Sequence, residues 1–201
     1  MNTLAEENFT ISGYSLEVGL NKKGKVSRAD LPTIGHEMRH LSDYLAFPKV
    51  PARECKLDRT GLYTKKYFDF YESEVYIDEV FSSQKEKDAI IKTLKKKIQK
   101  FLKGFKPEEK IDYLQCMRYG LIFEKNAYQT ENEIAKQFLQ KKDLSKYRRN
   151  VDNCCEEFMF PEKIELLKKM ALEIISTERN KHHARLKRNE YVQNFLDKFT
   201  I

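Results

Sequence analysis

His36-Glu37-Met38-Arg39-His40 reads H-E-x-x-H, and it holds two of the four histidines in the chain. On a helix, residues four apart lie one turn apart and about 40° around the axis, so both imidazoles can reach one divalent ion. Imidazole nitrogen is a natural zinc ligand, and three protein ligands leave a fourth position for water. Zinc makes such a water far more acidic, and Glu37, projecting beside the histidines, can take its proton. The hydroxide attacks a peptide carbonyl, and Glu37 then passes the proton to the leaving amine. These residue types at this spacing predict zinc-dependent hydrolysis of peptide bonds. His36 and His40 are the expected Zn2+ ligands, with Glu37 as general base.

That chemistry needs a helix through residues 36–40. Asp30 is a good N-cap, and Pro32 is tolerated in the first turn. Ile34, Leu41, Tyr44 and Leu45 can pack inward, Gly35 leaves room on the helix flank, and Pro48 and Pro51 end the segment. Upstream, Tyr14 to Leu20 alternates apolar and polar side chains. Residues 21–25 read as a turn and Val26 as the start of a partner strand, which predicts a hairpin. Residues 57–81 are aromatic and β-branched and read as strands or as a surface loop with aromatic anchors. From about Ser83 the pattern is helical. Ile90, Ile91, Leu94, Ile98, Phe101 and Leu102 form a helical stripe closed by Gly104 and Pro107. The next helix carries Ile111, Leu114, Cys116, Met117 and Leu121, and further helices are expected near 128–141, 144–158, 162–177 and 181–198. The expected fold class is α+β, zincin-like in plan, with a small N-terminal β element before a predominantly helical body. One domain spans 1–201, with a β-rich start and active-site helix over 1–50 and a helical remainder from about 83.

The stretch from Leu31 to Asp43 resembles the active-site helix of the zincin metallopeptidases. It is particularly similar to the G-H-E-x-x-H segments of bacterial toxin and effector proteases. The resemblance implies a sheet edge before the helix on which substrate lies as an added strand, and residues 14–26 are the candidate edge. It also implies a third metal ligand. The metzincin continuation is absent, since Asp43 stands where its Gly would be. Gluzincins instead take a Glu from a later helix, often within N-E-x-x-x or E-x-x-A. Tyr128 to Phe138 looks like that segment, and Asn132-Glu133 resembles the N-E form, which makes Glu133 the expected ligand. Glu131 is its rival, pointing about 200° away on a helix. The family's usual Asp four residues after the ligand is missing, because Gln137 follows Glu133 and Ala135 follows Glu131. Asp43, three residues past His40, suits a supporting role that orients an imidazole. His182-His183 offers a further ligand if a C-terminal helix folds back. Zincins commonly hold the oxyanion with a Tyr or His. The eleven Tyr of this chain leave that choice open, and Tyr128 is singled out for its closeness to the Glu pair.

Composition bounds these readings. The 201 residues are 40% apolar and 34% charged, with seven Gly and five Pro, too polar for a membrane protein and too apolar for a disordered one. The net charge of +7 permits weak attraction to nucleic acid, anionic membrane or acidic protein and requires none of them. Ten Lys over residues 85–110 make a basic amphipathic helix. They support a rival, non-enzymatic reading: a helical module that binds such partners. MNTLAEENFT lacks the basic and apolar regions of a Sec signal peptide. The four Cys lack pairing spacings. The expected location is therefore the cytoplasm, or a host cell reached without a Sec peptide, with a protein or peptide as substrate.

Overall fold

The computed structural model describes residues 6–11, 14–19, 25–46 and 65–181. Two short strands come first, β1 (Glu6–Ile11) and β2 (Tyr14–Gly19), paired antiparallel with Ile11 opposite Tyr14 and Glu6 opposite Gly19. Among the described residues six α-helices come next: α1 (Leu31–Ala46), α2 (Lys65–Phe70), α3 (Gln84–Phe101), α4 (Pro107–Phe138), α5 (Lys141–Glu157) and α6 (Phe160–Lys181). A π-helical turn, Tyr71–Val75, extends α2.

The α+β, zincin-like expectation is corrected, because the described chain is predominantly helical. Among the described residues the sheet is a two-stranded hairpin, not the layered sheet that such a fold requires. The hairpin also differs from the expected one: the partner of Tyr14–Gly19 is the segment before it, and residues 25–27 form no strand. The aromatic run after residue 64 is helical rather than extended. Tyr67, Tyr71 and Val75 recur every four residues and are buried, a helical period that aromatic composition conceals. The predicted break between residues 121 and 128 does not occur, and α4 runs unbroken for 32 residues. Leu121 to Ala127 contains no Gly or Pro to interrupt it, and Gly120 alone is too weak a breaker. The expected helix end at Pro48 and Pro51, and most of the 181–198 helix, lie outside the described residues.

The chain divides into two compact units. The first comprises residues 1–80 and 120–160, and its core includes Tyr67, Tyr71, Val75, Leu121, Phe123, Ala127, Val151 and Phe160. Here α1 lies against the second half of α4. Gly35 faces Ile134, His36 faces Glu131, His40 faces Glu124 and Tyr44 faces Phe123. As numbers rise along α1 they fall along α4, so the two helices are antiparallel. A Cβ on Gly35 would run into the end of the Ile134 side chain, so glycine here lets the two helices approach beside His36 without displacing it.

The second unit comprises residues 81–119 and 161–201. Its core includes Leu94 and Ile98 of α3 and Leu102 at its C-terminal cap, with Ile111, Leu114 and Met117 of α4 and Leu167, Met170, Ala171 and Ile175 of α6. Ser83 caps α3 by accepting from the Glu86 amide, and Glu86 reaches back to the Ser82 amide. The polar face carries the lysines, two of which pair with α6: Lys95 with Glu173 at 3.0 Å and Lys87 with Glu162 at 3.8 Å.

Candidate metal centre

α1 puts His36 and His40 on the face that meets α4, and α4 supplies carboxylates to that face. Glu124 and Glu131 are seven residues apart, about 20° around the axis, so both look toward α1. Glu133 is exposed and falls about 180° from Glu124 on the helix. Glu133, the expected third ligand, is thus placed away from the face that carries Glu124. The carboxylate that meets both histidines is Glu124.

His36 Nε2, His40 Nε2 and Glu124 Oε2 form a small triangle. The two nitrogens are 3.1 Å apart, and the oxygen is 3.4 Å from His40 and 3.8 Å from His36. A tetrahedral ion with bonds near 2.0–2.1 Å has donor atoms about 3.3 Å apart. The triangle matches that spacing closely, so these three residues fit a zinc-sized ion. Among the described residues they are the group of three whose ligand atoms cluster in this way.

The surroundings hold each member in place. Tyr76, just past the π-helical turn, donates from its hydroxyl to Glu124 Oε2 at 3.1 Å. The extra residue of a π turn re-aims the side chains beyond it, and such turns are frequent at functional sites. A part-buried aromatic stack supports Tyr76, with Tyr71 at 6.1 Å and Phe158 at 4.7 Å. Gly120 makes room for it, since a Cβ there would collide with the Tyr71 hydroxyl. His36 Nδ1 donates to Glu131 Oε2 at 2.8 Å, and the Tyr147 hydroxyl of α5 donates to Glu131 Oε1. Glu131, the rival ligand, thus sits behind His36 rather than beside Glu124. Tyr128, singled out in the sequence for its closeness to the Glu131/Glu133 pair, makes a T-shaped ring contact with His36 at 4.8 Å.

Electrostatics reflect this packing. Burial alone would raise Glu124, but hydrogen bonding and charge from His40, charge from His36 and the Tyr76 hydroxyl outweigh it and hold the carboxyl low. Glu131 behaves alike, burial being overcome by His36 and Tyr147. Burial, reinforced by negative neighbours, pushes Tyr128 up to about 12 and raises Tyr76 and Tyr147 as well. All three phenols are therefore protonated donors at neutral pH.

Other expectations fare variously. Glu37 lies part-buried on α1 between the two histidines in sequence. Asp43, expected to orient an imidazole, is buried and accepts from Arg39 Nε at 3.1 Å, a charge-assisted bond to the guanidinium one turn before it. The carboxylate that does orient an imidazole is Glu131. His182 and His183 lie outside the described residues. Glu124, Tyr76 and Tyr147 were not singled out in the sequence. Glu124 had a readable signal: Glu124-Lys125-Asn126-Ala127 is itself E-x-x-A, and Ala127 is fully buried. Among the described residues no helix is long and apolar enough to cross a membrane. No protein family matches the chain, and no curated protein or solved structure shows a significant likeness to it.

Proposed function

We propose that this protein is a zinc-dependent peptidase whose metal is held by His36, His40 and Glu124. The observation that carries the reading is the triangle of 3.1, 3.4 and 3.8 Å between ligand atoms delivered by two antiparallel helices. Bound there, zinc would supply Lewis acidity and lower the pKa of a coordinated water. Glu37 is the general base, since H-E-x-x-H sets it beside both histidines on the same helix. It accepts the proton of the attacking water and returns it to the leaving amine. Tyr128, protonated and edge-on to His36, is a donor suited to the oxyanion that forms on the substrate carbonyl.

The site chemistry is of the zincin type on a helical scaffold, and the toxin and effector proteases whose G-H-E-x-x-H segment it resembles suggest a protein substrate. Cys154 and Cys155 are free thiols, which fits work in a reducing compartment such as a cytoplasm. The test is direct. Zinc is measured in protein purified without added metal, and a quenched-fluorescent peptide library is then incubated with wild type and with Glu37→Gln. Near one zinc per chain in both proteins, with cleavage confined to wild type, supports the proposal. A wild type without zinc overturns it.

A further inference from the structure

We propose that Glu131 and Tyr147 form a positioning relay that fixes which nitrogen of His36 is offered to the metal, an inference that rests on the peptidase reading of the centre. The relay spans three helices. Tyr147 on α5 donates to Glu131 Oε1, and Glu131 on α4 accepts the His36 Nδ1 proton on Oε2 at 2.8 Å. A neutral imidazole carries one N–H, so placing it on Nδ1 leaves the Nε2 lone pair free. Nε2 is the atom that faces His40 and Glu124.

The geometry separates the roles of the two α4 carboxylates. Nδ1 and Nε2 lie on opposite sides of the imidazole ring, so an oxygen bonded to Nδ1 cannot also reach an ion on Nε2. Both oxygens of Glu131 are engaged, one by His36 and one by Tyr147, which holds the carboxylate in one orientation. The Glu131 side chain is only 12% exposed and His36 only 13%, so water competes weakly for either end. The arrangement also accounts for a departure from the gluzincin pattern. The position four residues after Glu124 holds Tyr128, and the supporting carboxylate comes one turn later instead.

Outer partners of this kind change metal affinity by about 10- to 100-fold when removed. The test uses the full chain and two readouts. Cobalt(II) affinity is taken from the visible spectrum in wild type, Glu131→Ala, Glu131→Gln and Tyr147→Phe. The tautomer of His36 in metal-free protein is read from its ring 15N shifts. Glu131→Ala should weaken cobalt binding by about 10- to 100-fold and move the ring proton toward Nε2. Glu131→Gln, whose amide oxygen still accepts from Nδ1, should lose less, and Tyr147→Phe should lose a few-fold. A purely structural role would leave the tautomer in place. Wild type that takes cobalt while Glu131→Ala binds it equally well overturns the relay alone. Wild type that takes no cobalt overturns the peptidase reading. Should Glu131→Ala fail to fold, the shape-preserving Glu131→Gln and Tyr147→Phe carry the same comparison.

Discussion

Three side chains make the proposed centre, and they can be tested one at a time. Glu124→Gln replaces a charged oxygen with a neutral amide facing a dication and should cost most of the zinc affinity. Glu133→Gln, on an exposed part of α4, should change nothing. Competition against a chelator measures both, and equal affinities in the two variants would contradict the assignment. Glu124 and Glu131 also predict an acid response of the metal-free fold. Both are held below the ordinary carboxylate value despite burial. A group depressed in the folded state contributes stability above its unfolded pKa, about 4.3 for Glu, and loses it as pH falls through the folded value. Thermal denaturation should therefore show metal-free protein weakening below about pH 4, and Glu131→Gln should flatten that limb. An unaltered limb would show that Glu131 is not a source of the acid sensitivity. At this scale the histidines were legible in advance, because a four-residue spacing on a helix translates into geometry with no tertiary knowledge. Glu124 was not legible in the same way. Its partnership with His40 exists only once α1 and α4 are antiparallel, and no local pattern sets that register.

Helices decide where the side chains meet, and there the sequence was partly readable. α1 begins one residue after the expected Asp30, and α3 starts directly after its Ser83 cap. The misreadings have physical causes. Splitting α4 near residue 128 severed Glu124 from Glu131, although an unbroken helix sets them on one face. Residues 57–81 read as strands or as a surface loop because aromatic and β-branched types favour extended backbone, yet burial at Tyr67, Tyr71 and Val75 selects the helical period over the described part. Gly35 gives a test of helix approach. Gly35→Ala forces a methyl into Ile134, so overpacking should cost about 1–3 kcal/mol and reduce zinc affinity together. Pairing it with Ile134→Val, which removes the colliding methyl, should restore part of both. Urea denaturation and the chelator assay read the result. Loss of stability without loss of affinity would mean that the α1–α4 spacing does not tune the centre.

The molecule as a whole consists of two units, and every residue of the proposed centre and its supports belongs to the one formed by residues 1–80 and 120–160. A ligand that binds only the folded state adds stability by mass action, about 4 kcal/mol at a thousandfold excess over Kd. Hydrogen exchange should accordingly slow on zinc addition along residues 31–46 and 120–151. The α3 and α6 amides of the other unit should change little, and uniform protection across both units would contradict a centre confined to one. The helical periodicity from about Ser83 onward corresponds to α3–α6, whereas the α+β plan rested on the expected hairpin and the zincin resemblance and is overturned by the predominantly helical described chain. The motif named a chemistry, and the motif alone did not name a scaffold. The central claim is that His36, His40 and Glu124 share one zinc ion. Zinc K-edge absorption on wild type and on Glu124→Gln tests it most directly. The prediction is two imidazole nitrogens and a carboxylate oxygen at about 2.0–2.2 Å, with the oxygen signal altered in the variant. Protein that holds no zinc, or a spectrum identical in both, would contradict it.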